Sequence, residues 1–130
     1  MSVRSDFLSL FQDADDVRAV PAGETIFEEG DPGDAMYVVI EGEVAVRVAG
    51  RDMSLVGAGS IFGEMALIDD SPRSAAAVAK TDCRLVAIDE PRFMEMVQKT
   101  PRFALLLMRV LANRLRLTDA ALGRPEAQQE

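Results

Sequence analysis

Glycines punctuate the first half of this 130-residue chain, and their spacing sets strong limits on its fold. Eight of the nine glycines lie between Gly23 and Gly63, where they separate short segments rich in Val, Ile, Phe and Tyr. Short apolar segments joined by turn residues are typical of successive β-strands. Segments 43–48 and 53–56, on either side of a turn at 50–52, predict a β-hairpin. The sequence therefore predicts a β-barrel or β-roll for this half of the chain.

Helical patterns flank the β-rich part on both sides. Apolar residues of segment 3–11 recur at helical spacing and predict a short amphipathic helix. Beyond residue 89, Pro91 suits the first turn of one helix and Pro101 that of another, which is expected to reach about residue 122. The other predicted elements are strands at 25–28 and 36–40, two strands within 76–88, and one helical turn at 64–69.

The fold class predicted from this order is α+β, mainly β. We expect an antiparallel β-roll, a double-stranded jelly-roll-like barrel, with a short N-terminal helix, a short helix at 64–69 and two C-terminal helices. A chain of 130 residues with 48% hydrophobic residues is large enough for one buried core. Residues 1–125 are therefore predicted to form a single domain and residues 126–130 a frayed tail.

The charge of the chain argues against two classes of partner. The formal net charge is −8, with a pI near 4.5, so nucleic acid and anionic membranes would carry the same sign as the protein. We expect no direct DNA binding. No run of about 18 apolar residues occurs, and the first 20 residues mix charged and apolar positions. The sequence thus predicts a cytoplasmic protein with neither a secretory signal nor membrane insertion.

The inventory of reactive side chains is small. The chain has no histidine and one cysteine, Cys83, which excludes histidine-dependent nucleophile systems and cysteine-cluster metal sites. Cys83 itself is expected to be a small buried residue in a strand. No catalytic residue and no metal ligand is predicted.

The segment around Gly63 and the segment around Arg73 together suggest an anion site. Gly63 permits close approach of backbone to a ligand, and a helix begun there would direct unpaired N–H groups at an anion. Arg73 could pair with phosphate oxygens, and Glu64 could accept a hydrogen bond from a sugar hydroxyl. The alternative for Glu64 is a carboxylate that the helix dipole favours at the N-terminus of a helix, and the alternative for Arg73 is a loop arginine in a surface ion pair.

The sequence resembles the cyclic-nucleotide-binding domain family. This family includes catabolite activator proteins, the regulatory subunits of cyclic-AMP-dependent kinase and cyclic-nucleotide-gated channels. The resemblance covers roughly residues 7–122 and is most specific at 62–67 and 72–75, which look like the phosphate-binding cassette of the family. Weaker support comes from segments 21–24, 29–37 and 40–44.

The resemblance implies a set of ligand contacts. Arg73 would pair with the exocyclic oxygens of the cyclic phosphate, and Glu64 would bind the ribose 2′-hydroxyl. Backbone N–H groups of Ala66, Ser74 and Ala75 would complete the cradle. The residues expected in the cassette are Gly63, Glu64, Met65, Ala66, Arg73, Ser74 and Ala75.

The resemblance also bears on the nucleobase. It places Val46 and Met53 along the base and sugar, although ordinary barrel core is an equal alternative for both. Ser74 stands where several cyclic-GMP-preferring members carry threonine. Thr118 falls where catabolite activator proteins contact adenine, with a solvated helix position as its alternative. Cyclic AMP is therefore favoured as the ligand, cyclic GMP remains possible, and no cofactor is expected.

Ligand binding is expected to close the C-terminal helices over the base, so that the chain acts as a sensor. The apolar stripe of the last helix predicts a lid packed on the roll or, alternatively, a homodimer through that helix. Its residues Arg109, Arg114 and Arg116 are expected to form a solvated polar face, or else a contact with an acidic partner. The effector protein is unknown. Two other functions stay open: a histidine-free β-barrel enzyme acting on a sugar phosphate, and an interaction domain with a silent ligand site.

Overall fold

The structure, a computed structural model, describes residues 3–11 and 14–121, and its side chains at 5–11 and 14–116. The glycine-separated segments form strands, and the flanking segments form helices, as predicted. The described residues form four helices and eight strands: α1 (Val3–Phe11), β1 (Arg18–Val20), β2 (Thr25–Phe27), β3 (Ala35–Glu41), β4 (Val44–Val48), β5 (Arg51–Val56), β6 (Ile61–Phe62), α2 (Met65–Ile68), β7 (Ala76–Ala79), β8 (Cys83–Asp89), α3 (Glu90–Lys99) and α4 (Pro101–Ala121).

The strands form two four-stranded antiparallel sheets, which confirms the predicted β-roll. The first sheet has the order β1-β8-β3-β6, and the second has the order β2-β7-β4-β5. Strands β1 and β6 have three and two residues, too few for a period-2 pattern to be visible, and the sequence did not predict them. Apart from the β4–β5 hairpin, the paired strands are distant in sequence. The two strands that border the cassette segments 62–67 and 72–75 are held in this way, because β6 pairs with β3, and β7 pairs with β2 and β4.

Two hydrophobic clusters explain why β3, one of the two longest strands, is apolar on both faces. Along β3 successive side chains point to opposite sides. Tyr37 and Val39 pack into a cluster shared by the two sheets. Met36 and Val38 pack into a second cluster against the helices. The first sheet is thus covered on both sides, and the second sheet lies on the side away from the helices.

Aromatic residues of the helices pack against one another within the cluster that covers the first sheet. Phe7 of α1 and Phe103 of α4 are fully buried, with their rings in an edge-to-face arrangement 6.2 Å apart. Helix α3 begins at the predicted place because the side chain of Asp89 accepts a hydrogen bond from the N–H of Arg92, which caps its first turn. In the described part of the chain, no helix is long and apolar enough to cross a membrane. The predicted frayed tail at 126–130 lies outside the described residues.

The predicted hairpin is present as β4 and β5, and it contains an irregularity. Val46 pairs with Ser54, whereas the next pair is Arg47 with Asp52, so Met53 has no directly paired residue. The side chain of Asp52 accepts hydrogen bonds from Arg47 and Lys80, and these lower the pKa of Asp52 below its ordinary value.

Candidate ligand-binding site

A cavity of about 1050 Å³ lies between the second sheet, the segment from residue 59 to 75, and helix α4. Its size is at the upper end of the range typical of small-molecule sites. The two ionisable side chains that the sequence singled out both lie in its wall and are both buried: Glu64 is 6% exposed and Arg73 is 7% exposed. Charged side chains are seldom buried without a specific partner, so their contacts define the site.

Arg73 is held in one orientation by backbone carbonyls and an aromatic ring. Its Nη1 donates to the carbonyl oxygen of Gly63 at 2.8 Å, and its Nη2 donates to that of Ala35 at 2.6 Å. The guanidinium lies 4.0 Å from the ring centre of Phe27, a cation–π distance. Its Nε is buried and has no hydrogen-bond partner among the described residues. The guanidinium is therefore fixed in place with one donor left unsatisfied.

Gly63 is required by this arrangement for two reasons. Its φ is +75°, a left-handed conformation that favours glycine, and a Cβ atom there would lie 2.7 Å from Nη1 of Arg73. A side chain would displace the guanidinium. The sequence interpretation used Gly63 for close approach of the backbone to a ligand, and that role remains a prediction.

Glu64 links the cassette to the last helix. Its Oε2 accepts a hydrogen bond from Nη1 of Arg114 at 2.8 Å, and Nη2 of Arg114 donates to the carbonyl oxygen of Ile61 at 2.7 Å. Its Oε1 is buried and has no partner among the described residues. The carboxylate thus has one acceptor atom committed to α4 and one that is unsatisfied.

The turn at 30–34 holds the cassette in place by backbone hydrogen bonds and close packing. The N–H of Gly30 donates to the carbonyl of Arg73, and the N–H of Arg73 donates to the carbonyl of Asp31, both at 2.8 Å. A Cβ atom at Gly33 would lie 2.1 Å from the Cβ of Ala66. This close packing brings residue 66 and residue 73 against the same turn.

The structure brings most of the predicted site residues together. Eight of them line the cavity, and their roles toward a ligand remain predictions: Val46, Gly63, Glu64, Met65, Ala66, Arg73, Ser74 and Ala75. Val46 also packs against the cluster between the sheets, as the barrel-core alternative expects, and its contact with base and sugar remains a prediction. The side chain of Thr118 lies outside the described residues, although its backbone belongs to α4.

Met53 is placed differently from the prediction. Its side chain is 64% exposed and does not line the cavity, whereas Ser54, Leu55 and Val56 of the same strand do. The pairing irregularity beside Met53 shifts which β5 residues face inward. The sequence pattern contained no sign of this irregularity, because it depends on the partner strand.

Helix α4 contributes four polar residues to the cavity wall, and the sequence analysis assigned the three arginines among them to a solvated polar face or a contact with an acidic partner. Arg109, Asn113, Arg114 and Arg116 line the cavity. The interpretation of Arg114 as part of a solvated polar face is wrong, because Arg114 bonds Glu64 and the carbonyl of Ile61. One signal was available: Arg114 lies four residues before Thr118, so the two share a helix face.

Three comparisons with known proteins agree on one relationship. The family model described as "Cyclic nucleotide-binding domain" matches residues 17–100. A CRP-like cAMP-activated global transcriptional regulator of Mycobacterium tuberculosis is 35% identical over 108 residues, covering 79% of this chain and 48% of the relative. A cyclic AMP receptor protein of Thermus thermophilus is 39% identical over 110 residues, covering 81% and 51%.

The structural comparison points the same way. The crystal structure of the Thermus thermophilus catabolite activator protein matches with a TM-score of 0.78 and 36% identity, over 91% of this chain and 58% of that one. The chain spans about half the length of the curated relatives it matches.

Proposed function

The chain belongs to the cyclic nucleotide-binding domain family, and on that premise we propose that it is a cytoplasmic sensor that prefers cyclic AMP to cyclic GMP. The names of the relatives support cyclic AMP, since two of them are described as responding to it. Ser74, which lines the cavity, supports it too, because several cyclic-GMP-preferring members of the family carry threonine there.

One observation carries the proposal: a buried carboxylate and a buried guanidinium line the same cavity, and each has a polar atom without a hydrogen-bond partner among the described residues. An unsatisfied buried polar group costs about 1–3 kcal/mol, and more when it is charged. A ligand that brings both an anion and a hydroxyl would relieve both deficits. A cyclic phosphate fused to a ribose has this combination, with the phosphate on Arg73 and the 2′-hydroxyl on Glu64.

The site is suited to binding and not to turnover. Glu64 would act as a hydroxyl acceptor, since one of its oxygens already accepts a hydrogen bond from Arg114 and the guanidinium of Arg73 is held by two backbone carbonyls. The relatives described above are regulators or receptors by name. We therefore propose a regulatory ligand-binding domain, without a cofactor.

Occupancy would be transmitted through α4. Arg114 joins this helix to Glu64 and to the carbonyl of Ile61, so a ligand that engages Glu64 also changes the surroundings of Arg114. The ligand would favour a closed arrangement by the difference between its affinities for the closed and open forms. The C-terminal helices would then act as the output of the sensor.

A second copy of this chain is the partner we propose for α4. Apart from its buried stripe, the helix has an exposed apolar seam formed by Leu105, Met108, Ala112 and Leu115. The spacing of three, four and three residues is that of a two-stranded coiled coil.

With a net charge of −8, we expect no direct contact of this chain with DNA. The effector that receives the signal is not identified.

Calorimetric titration tests the ligand and the role of Arg73 together. Cyclic AMP, cyclic GMP and linear AMP would each be titrated into the wild type, Arg73→Ala and Arg73→Lys. We expect cyclic AMP to bind wild type most tightly and Arg73→Ala to weaken it by about 10- to 100-fold, since a charge-assisted hydrogen bond contributes about 1.5–3 kcal/mol. Arg73→Lys keeps the positive charge but loses the planar guanidinium, so its affinity for cyclic AMP should lie between those of wild type and Arg73→Ala.

The matched control is Arg84→Ala, which removes an exposed arginine of β8 from a surface ion pair with Glu41 and should leave affinity unchanged. Thermal unfolding of each variant establishes that it is folded. Absence of heat from both cyclic nucleotides with folded wild type would contradict the proposal and favour a silent site. Tighter binding of cyclic GMP than of cyclic AMP would contradict the proposed preference for cyclic AMP. Conversion of cyclic AMP to a product would favour the alternative of a histidine-free β-barrel enzyme.

A further inference from the structure

The charge of the cavity wall is opposite to the charge of the chain. Among the described residues that line the cavity, four are arginines and two are carboxylates, Glu64 and Asp69. The chain as a whole carries a formal net charge of −8. A monoanionic ligand is therefore repelled by the protein at long range and attracted by the wall of the site.

The four arginines divide into two groups. Arg73 is buried, and Arg73 and Arg114 both bond oxygens of the cassette or of the strands beside it. Arg109 and Arg116 line the cavity from α4 and are exposed. They are seven residues apart, which places them on one face of the helix and separates them by about 10 Å along its axis. That distance is comparable with the length of a nucleotide.

We propose that Arg109 and Arg116 form a capture strip that draws anionic nucleotides into the cavity and sets the rate of their association. The inference rests on the proposed function and adds a role for residues outside the predicted cassette. The attraction between exposed charges and a ligand extends over about one Debye length, which is about 8 Å at physiological ionic strength. Once the ligand is bound, an exposed ion pair adds little to the binding free energy because water screens it. The strip should therefore change the association rate much more than the dissociation rate.

Stopped-flow kinetics with a fluorescent cyclic AMP analogue tests the strip. The variants are Arg109→Gln, Arg116→Gln and the double variant, measured from about 10 mM to 1 M salt, a range in which the Debye length falls from about 30 to 3 Å. Removing both charges should lower the association rate constant about 3- to 10-fold at the lowest salt, near the lower end of known electrostatic steering. The difference should vanish at the highest salt, and the dissociation rate constant should change less than about twofold.

The matched control is Arg18→Gln on β1, which changes the net charge by the same one unit as each single variant but does not line the cavity. Its association rate constant should fall less than that of either single variant at the lowest salt, and should equal that of wild type at about 0.15 M salt, where the Debye length is only about 8 Å. Equal association rates for the double variant and wild type at low salt would overturn the capture strip while leaving the proposed function intact, as would a change confined to dissociation. A wild type that binds no cyclic nucleotide would overturn both.

Discussion

Gly33 shows how a single residue far from the cassette in sequence controls its position. Its backbone has an ordinary φ, yet an added Cβ would lie 2.1 Å from the Cβ of Ala66 and 3.4 Å from Nε of Arg73. Contacts under 3.0 Å between such atoms essentially do not occur, so the cassette would have to move. The restriction at Gly33 is thus one of space and not of backbone conformation.

We predict that Gly33→Ala lowers the free energy of unfolding by about 1–3 kcal/mol, the usual cost of overpacking. The double variant Gly33→Ala/Ala66→Gly should be more stable than Gly33→Ala, because it removes the methyl group that collides. Urea denaturation of the two single variants and the double variant measures the coupling.

Gly57→Ala is the control for Gly33→Ala. A Cβ at Gly57 would meet nothing within 4 Å, and its φ is not left-handed, so this change should be neutral or slightly stabilising. Simple additivity of Gly33→Ala and Ala66→Gly would contradict the steric account.

Helix α4 packs on the roll, bonds a residue of the cavity and has an exposed apolar seam. Phe103, Leu106 and Leu107 are buried against the roll, and Arg114 reaches Glu64 in the cavity. The seam defined above is exposed: Met108 is 59% exposed and Leu115 is 63% exposed. Because α4 has one apolar face buried against the roll and a second apolar face exposed, we expect an apolar partner to cover the exposed seam.

We predict that wild type sediments as a dimer and that Met108→Glu/Leu115→Glu sediments as a monomer at the same concentration. The double variant places carboxylates of both subunits against each other in an apolar interface, which opposes association. Analytical ultracentrifugation measures the difference.

The control for the seam is Met94→Glu, which adds the same charge at a 52% exposed methionine of α3. This variant should remain dimeric. A wild type that is monomeric at every concentration, or a seam variant that stays dimeric, would contradict pairing through α4.

At the scale of the whole molecule, the cavity is where the second sheet, the cassette and α4 meet. The second sheet and the helices lie on opposite sides of the first sheet, so the hydrogen bonds from Arg114 to Glu64 and Ile61 join the helical layer to the cassette. A signal from ligand to helices would pass through this short connection.

We predict that cyclic AMP slows amide hydrogen exchange both in the cassette segments 62–67 and 72–75 and in the part of α4 from residue 109 to 116. In Arg114→Gln the slowing in the cassette should persist and the slowing in α4 should be lost or much reduced. The reason is that glutamine cannot maintain the charged hydrogen bond to Glu64. Exchange measured by mass spectrometry with and without ligand gives both quantities.

Arg102→Gln serves as the control for Arg114→Gln. Arg102 lies on the same helix and pairs with Asp6 of α1, away from the cavity, so its loss should leave the ligand effect on α4 intact. Equal slowing of α4 in wild type and Arg114→Gln would contradict transmission through Arg114.

The sequence by itself determined the elements whose causes are local. Glycine-bounded apolar segments predicted the hairpin, and prolines at the first turns predicted α3 and α4, because turn conformation and helix starts depend on adjacent residues. The short pattern around Gly63, Glu64 and Arg73 predicted an anion site, since a guanidinium and a carboxylate near a glycine limit the possible chemistry.

Only the tertiary structure decided what depends on contacts between distant segments. Strands β1 and β6 exist because long-range pairing holds segments too short to show a pattern of their own. Met53 faces away from the cavity because of an irregularity set by the opposite strand. Arg114 is a partner of Glu64, 50 residues away, because the roll and the core-facing stripe of α4 bring the two together. A sequence pattern records preferences over a few neighbouring residues, and these three outcomes depend on packing across the whole domain.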